Sequence, residues 1–228
     1  MSRTYKESNY ESDDNSNTDH INLKRSKVME LNYDDMIYAL GTQIHFTSCV
    51  ASHTIEKLIM VFTQVISNNI PKFGTRLDEG QYIDIDYIVD SPGGSVTDVL
   101  KFVDFLNMAK EKHPYFRFNS IITGRAASAG TIMSVVAHRR YITKNAFAMI
   151  HELAAGINGK YSDMKSQISL YEKMHRRLLD IYIDGNSKLS ESKLEELLKL
   201  DSWFTAQEYK DLGFVDGIRG EDDCVVVN

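Results

Sequence analysis

Apolar positions follow two alternating periods along the chain, and the changes of period predict helices and strands. After Ser52, which we predict as an N-cap, apolar residues recur at helical spacing until the stop signal at residues 68–71. Residues 82–89 (YIDIDYIV) alternate and predict a strand. Further strands are expected over 116–123, within 141–150 and over 214–218. A turn of small residues followed by a helix is expected over 124–137. Further helices are expected over 99–109, from Ser162 or Asp163 to about 183, over 191–200 and over 206–212.

Alternating strands and helices indicate an α/β fold with mostly parallel strand pairing. No stretch rich in Pro, Gly or Ser divides the globular part, so we predict one domain over residues 28–220. Residues 1–27 are strongly polar and are expected to stay disordered, because they bury too little apolar surface to offset their ordering entropy. Residues 221–228 are predicted as a C-terminal tail, and residues 70–80 as a loop.

Composition narrows the function class without naming a function. The chain has 228 residues, 43% of them hydrophobic and 25% charged, as in ordinary globular proteins. A net charge of −6 argues against nucleic acid and anionic membranes as partners. There is no apolar run of transmembrane length and no apolar signal-peptide segment. Two cysteines, Cys49 and Cys224, are too few for a disulfide scaffold, so a cytoplasmic location is expected.

In parallel α/β proteins, functional sites lie at the carboxyl ends of the strands. Three such places in this sequence carry unusual residues. The first is residues 90–95 (DSPGGS), where two glycines can turn backbone N–H groups toward an oxyanion. A plain tight turn is the simpler alternative. The second is Ser128, which lies among small residues where a helix is predicted to begin; the simpler alternative is an N-cap.

The third place is His151, which follows a short apolar run and has a satisfied core histidine as its simpler alternative. A zinc-protease motif is absent, because the second histidine of H-E-x-x-H would fall on Ala155. Neither a Walker A nor a G-x-G-x-x-G motif is present, so we expect no metal and no nucleotide cofactor.

Together the three places contain most of a serine-hydrolase site. A serine hydroxyl needs a base to accept its proton, a carboxylate to orient that base, and N–H donors for the oxyanion. Ser128, His151 and the Gly94 turn can supply all of these except the carboxylate. Residue patterns leave that role open among several aspartates, including Asp163, Asp180, Asp201 and Asp216.

Five motifs in order give the chain a specific resemblance. They are SPGGSVT at 91–97, GRAASAG at 124–130, MIH at 149–151, a G-x-x-G-x-x-x-D pattern from 156 to 163, and DSWFTAQE at 201–208 followed by YKDLGFVD. In these, the sequence resembles the proteolytic subunit of Clp protease, the ClpP-type serine peptidases, over about residues 35–220.

The resemblance implies a role for particular residues. It implies Ser128 as nucleophile, His151 as general base and Asp201 as orienting acid, and it selects Asp201 over the other aspartates. The family's oxyanion donors fall on the backbone N–H groups of Gly94 and Ala129. The resemblance also implies that three neighbours of Gly94 in the glycine turn bind the substrate: Gly93, Ser95 and Val96.

The resemblance also implies an architecture and partners. It implies a ClpP/crotonase-like single domain with repeated β-β-α units, a mostly parallel sheet and a long handle helix. The subunits would form heptameric rings, and two rings would stack around an inner chamber. In this chamber the enzyme would hydrolyse unfolded proteins or peptides. The protein would need no cofactor itself, and ATP would act only through a partner AAA+ unfoldase. Two alternatives stay open: an ATPase-independent processing peptidase, for example for assembly or capsid proteins, and an inactive scaffold subunit of the same fold.

The sequence departs from the family pattern at four places. Glu152-Leu153 stands where a Gln-Pro pair is common, and Ala129 where a larger apolar residue is common. The segment 68–81 is longer than usual, and the first 25 residues differ from the family's pore-lining segment.

Overall fold

The computed structural model describes residues 36–70, 81–186 and 188–220, which all belong to one compact unit. The predicted tails 1–27 and 221–228, most of the predicted loop 70–80 and Cys224 lie outside these ranges, so the domain boundaries stay a prediction. Within the described ranges, no helix is long and apolar enough to cross a membrane.

Eight strands and six helices make up the described residues. In chain order they are β1 (Met36–Leu40), β2 (Gln43–Thr47), α1 (Ser52–Asn69), β3 (Ile83–Ser91), α2 (Val96–Lys112), β4 (Phe116–Ala127), α3 (Ala129–Val135), β5 (Arg139–Thr143), β6 (Phe147–Ile150), α4 (Tyr161–Asp184), α5 (Glu191–Leu198), β7 (Ser202–Thr205), α6 (Ala206–Asp211) and β8 (Gly217–Arg219).

The strands form one mixed sheet in the order β1-β2-β3-β4-β5-β8. All pairs along this path are parallel except β1 with β2. The long strand β4 changes partner along its length: Asn119–Ile122 pair with β5, whereas Arg125–Ala127 pair with β6, which in turn pairs antiparallel with β7. Because β4 and β6 run parallel, their carboxyl ends meet at one edge of the sheet, where Ser128 and His151 follow them.

The predicted α/β class with a mostly parallel sheet is confirmed, and several local predictions are wrong. Residues 124–127 continue β4 instead of turning, because β6 supplies a new pairing partner there. The last strand begins at Gly217, and β1, β2 and β7 were not predicted. These three strands are only four or five residues long, so their local alternation is short. Ala51, not Ser52, is the N-cap of α1, and its N–H donates to Thr54 Oγ1 at 2.9 Å.

The core draws on the sheet and all six helices, and its largest aromatic cluster joins α1 and α2 to β3 and β4. Phe62 of α1 is fully buried and has ring contacts to Tyr87 of β3, Phe102 of α2 and Phe118 of β4. Burial of large aromatic groups of this kind dominates the energetics of a core. The aromatic cluster therefore fixes β3 and β4 side by side, and these two strands carry the glycine turn and Ser128 at their ends.

The aspartates in the alternating pattern of β3 lie on its polar face, where side chains of β4 bind them. Arg117 of β4 donates two hydrogen bonds of 2.6 Å to Asp84, and Asn119 donates to both Asp84 and Asp86 at 2.8 Å. The hydrogen bond from Arg117 lowers the pKa of the Asp84 carboxyl. The aspartates thus form cross-strand pairs on the polar face, while the apolar positions of β3 face the core.

Candidate active site

Ser128 lies between the end of β4 and the start of α3 in a strained conformation. Its φ of 54° and ψ of −122° fall outside the regions that non-glycine residues ordinarily occupy. Although Ser128 occupies the N-cap position of α3, its side chain makes no capping hydrogen bond. Its N–H donates to Met149 O at 2.8 Å, and its carbonyl accepts from Thr131 N at 2.9 Å. The strain is held by both neighbouring peptide units, and it frees the hydroxyl for another partner.

That partner is His151, at the end of β6. Its Nε2 lies 2.7 Å from Ser128 Oγ, within hydrogen-bond distance. The histidine is half-buried, with 25% of its side chain exposed. The structure therefore brings two of the predicted site residues together, and it does so through the parallel pairing of Ala126 and Ala127 of β4 with Ala148 and Met149 of β6.

Asp201 lies on the other side of the imidazole. Its Oδ1 is 3.6 Å from His151 Nδ1, longer than a hydrogen bond, and its side chain is 76% exposed. Asp201 adopts a φ of 47° in the turn between α5 and β7. The N–H of Glu152 donates to Leu198 O at 3.0 Å and ties the segment after His151 to the end of α5, which keeps this turn beside the histidine.

The other three aspartates that the sequence left open have different neighbours. Asp180 pairs with Arg176 at 2.9 Å on α4, and Asp216 pairs with Arg140 at 2.5 Å. Asp163 lies near Gly159 and Ser162 in the first turn of α4. Of these four aspartates, Asp201 is the one that lies beside the imidazole of His151. Local sequence patterns alone did not distinguish it from the other three.

The glycine turn packs directly against Ser128 and against Val50, which lies between β2 and α1. A Cβ on Gly93, at φ +91°, would lie 2.7 Å from Ser128 Cβ and 2.5 Å from Ala127 O. A Cβ on Gly94, at φ +148°, would lie 2.1 Å from Val50 O. Both positions therefore require glycine, because the backbones on either side leave no room for a side chain.

Ser95 and Val96, the other predicted substrate-binding residues, differ in position. Ser95 is the N-cap of α2, and its Oγ accepts from Asp98 N at 3.3 Å. Val96 lines a cavity of about 340 Å³ beside Ser128, which Gly94 and Ala129 also line. The structure thus brings Val96, but not the Ser95 hydroxyl, to the candidate site.

Sequence reasoning missed most of the lining of this cavity. Its apolar wall includes residues from α2, α3, α4 and α5: Val99, Ile132, Leu178, Tyr182 and Leu198. His175 of α4 and Glu152 add polar groups. The helical periodicity of α4 could have identified Leu178 and Tyr182, four residues apart, as one face, but nothing local showed that this face meets Ser128. Within the described ranges, no cluster of His, Cys, Asp or Glu is suited to a metal ion.

Comparison with known proteins assigns the chain to a family. A model of the Clp protease family matches residues 59–222. The chain belongs to the Clp protease family. The ATP-dependent Clp protease proteolytic subunit 2 of Tropheryma whipplei (strain Twist) is 36% identical over 143 residues, which are 60% of this chain and 74% of that protein. The proteolytic subunit 1 of Leifsonia xyli subsp. xyli (strain CTCB07) is 31% identical over 173 residues, or 72% of this chain and 83% of its own.

Membership of the Clp protease family confirms the resemblance and the fold class predicted from the motifs. A third relative, the ATP-dependent Clp protease proteolytic subunit 1 of Chlamydia abortus (strain DSM 27085 / S26/3), is 32% identical over 138 residues, or 59% of this chain and 69% of that protein. Because identities to all three relatives are only 31–36%, the chain is a divergent Clp-type serine peptidase. Its long helix α4, of 24 residues, fits the handle helix expected for the family. In this Clp-family chain, Glu152 adds a carboxylate to the lining of the cavity.

Proposed function

We propose that the protein is an endopeptidase that cleaves peptide bonds of unfolded proteins or peptides through an acyl-enzyme. Ser128 is the nucleophile, His151 the general base and Asp201 the carboxylate that orients the imidazole. The observation that carries the proposal is the 2.7 Å contact between Ser128 Oγ and His151 Nε2, two residues that line the cavity. A hydroxyl in this position can transfer its proton as it attacks a carbonyl carbon.

The reaction proceeds in two halves. Ser128 Oγ bonds to the scissile carbonyl carbon while His151 Nε2 accepts the hydroxyl proton, and the same nitrogen then protonates the departing amine as the C–N bond breaks. In the second half, His151 Nε2 takes a proton from a water molecule as the water oxygen bonds to the acyl carbon. It then returns that proton to Ser128 Oγ as the bond between Oγ and the acyl carbon breaks. Throughout, Asp201 favours the tautomer with a proton on Nδ1 and stabilises the imidazolium.

Two backbone N–H groups support oxyanion stabilisation. The bridge between Gly94 and Val50 uses Gly93 O and Ser95 N, at 2.8 Å each, and makes no use of the Gly94 N–H. Ala129 is the first residue of α3, so its N–H has no carbonyl partner within the helix. Both residues line the cavity beside Ser128, which is where the tetrahedral oxygen would form.

Replacing Asp201 by asparagine is expected to lower kcat about a hundredfold. A buried triad aspartate is worth about 10⁴ in kcat, but Asp201 is mostly exposed and lies 3.6 Å from the imidazole, so solvent screens its interaction. The measurement is kcat on a fluorogenic peptide amide. Asp180→Asn, which removes a carboxylate from the ion pair with Arg176, is the matched control and should keep native kcat. Equal activity of both variants would remove Asp201 from the mechanism.

The proposal extends to assembly as two stacked heptameric rings fed by an ATP-driven AAA+ unfoldase. In support, the relatives are named proteolytic subunits of an ATP-dependent Clp protease. The N-terminal part of α4 supports a contact between subunits, because it exposes apolar side chains: Tyr161, Ile168 and Leu170. In this arrangement the peptidase itself holds no cofactor, and ATP acts only in the partner.

One experiment tests activity and assembly together: native mass spectrometry after treatment with a fluorophosphonate. Fourteen subunits of 26.0 kDa would give about 364 kDa, and each should carry one label, which peptide mapping should locate on Ser128. A stable monomer of 26 kDa would contradict the barrel. A folded chain with no label on Ser128 would contradict the peptidase and favour a scaffold subunit.

A further inference from the structure

A chain of buried hydroxyl groups leads from the long helix α4 to the backbone of Ser128. Tyr182 Oη of α4 lies 2.6 Å from Thr131 Oγ1 of α3, and Thr131 Oγ1 lies 2.6 Å from the carbonyl oxygen of Ser128. Thr131 is fully buried, and Tyr182 is 3% exposed. Hydrogen bonds in so buried a setting hold their groups rigidly, because each unmade bond would leave a polar group without a partner.

The direction of the hydrogen bonds follows from the number of protons. The carbonyl of Ser128 can only accept, so the single hydroxyl proton of Thr131 points to it, and Tyr182 must donate its own proton to Thr131 Oγ1. Burial raises the pKa of the Tyr182 hydroxyl, which therefore remains a neutral donor in any assay at ordinary pH. The chain runs one way, from Tyr182 through Thr131 to Ser128.

The carbonyl that ends this chain belongs to the same peptide unit as the Ala129 N–H. In a trans peptide the C=O and N–H groups are coplanar and point in opposite directions, so a force that fixes one fixes the other. The Ser128 carbonyl accepts a second bond from Thr131 N at 2.9 Å. Holding it matters more here than in an ordinary turn, because the unusual φ and ψ of Ser128 persist only where the surroundings over-determine them.

We propose that Thr131 and Tyr182 are positioning residues that aim the Ala129 N–H at the oxyanion of the tetrahedral intermediate. Neither side chain makes a hydrogen bond to Ser128 Oγ or His151; both act by orienting the Ser128–Ala129 peptide plane. The inference rests on the proposed function, since it requires Ala129 to be an oxyanion donor. It gives a role to the buried contact between the Thr131 hydroxyl and the hydroxyl of Tyr182, a residue that also lines the cavity.

The test compares four variants of the full chain: Thr131→Val, Tyr182→Phe, Thr131→Ser and Tyr87→Phe. Tyr87→Phe is the matched control, because Tyr87 also donates a buried hydroxyl to α3, at 2.8 Å, but to Met133 O instead of the Ser128 carbonyl. We measure kcat and KM on a fluorogenic peptide amide, affinity for a peptide boronate, whose tetrahedral adduct occupies the oxyanion site, and the midpoint of thermal unfolding.

Thr131→Val should lower kcat about tenfold or more, with KM and the pH dependence of kcat unchanged, and should weaken boronate binding by the same factor. Tyr182→Phe should give a smaller loss of the same kind, and Thr131→Ser, which retains the hydroxyl, should recover native kcat. Tyr87→Phe should lower the unfolding midpoint without changing either kcat or boronate affinity.

Native kcat and boronate affinity in Thr131→Val and Tyr182→Phe would overturn the inference and leave the hydroxyl chain as core structure only. If Thr131→Val fails to fold, the contrast between Tyr182→Phe and Tyr87→Phe decides the question in the same way. Failure of the proposed function looks different: the native chain itself would neither turn over substrate nor accept a fluorophosphonate on Ser128.

Discussion

Replacing Ser128 by alanine is expected to lower kcat on a fluorogenic peptide amide by about five to six orders of magnitude. Removing the nucleophile eliminates the acyl-enzyme route, and losses of about 10⁶ are found when triad residues that act as a unit are deleted. The methyl group fits the same space, and the Ser128 hydroxyl caps no helix, so the fold should be unaffected. The measurement is the steady-state rate together with the unfolding midpoint.

Ser134→Ala is the control for this experiment. Ser134 lies on the same helix α3, is buried, shares a hydrogen bond of 2.9 Å with Ser120, and does not line the cavity. Its replacement should reduce the free energy of unfolding by about 1 kcal/mol and leave kcat near the native value. Native turnover in Ser128→Ala would end the proposed mechanism, and a comparable loss in Ser134→Ala would attribute the effect to helix α3 instead of the hydroxyl.

Gly94→Ala is expected to reduce both stability and activity. The new Cβ would lie 2.1 Å from Val50 O, so the turn must move away from the backbone of Val50. Overpacking together with strain at positive φ should lower the free energy of unfolding by about 3 kcal/mol. Displacement of the Gly94 N–H should lower kcat about a hundredfold in the fraction that stays folded, since that N–H is a proposed oxyanion donor. Denaturant titration and active-site titration separate the two effects.

Gly41→Ala isolates the conformational part of this effect. Gly41 also has a positive φ, of 63°, but a Cβ there would meet no atom within 4 Å. It should therefore lower the free energy of unfolding by only about 1–2 kcal/mol and leave kcat unchanged. If Gly94→Ala behaves like Gly41→Ala in both measurements, close packing of the glycine turn against Val50 has no role in the site.

The sequence by itself determined the periodic elements and the kind of chemistry. Alternation in 82–89 and helical spacing after Ser52 predict strand β3 and helix α1 because these patterns depend only on which face of an element is buried. Short strands such as β7 escaped prediction, since four residues hold too little periodicity. The residue types at Ser128 and His151, set in small-residue and apolar surroundings, suggested a nucleophile and a base without showing that they meet.

The tertiary structure alone decided what lies next to what. The hydroxyl of Ser128 faces His151 instead of capping α3, because β6 pairs in parallel with the end of β4 and anchors Ser128 N to Met149 O. Asp201, and not Asp163, Asp180 or Asp216, lies beside the imidazole, because the turn after α5 is tied to the segment after His151. Tyr182 reaches the site from a helix about 50 residues away in the chain. Such contacts depend on strand pairing and helix packing over long separations, which local periodicity does not encode.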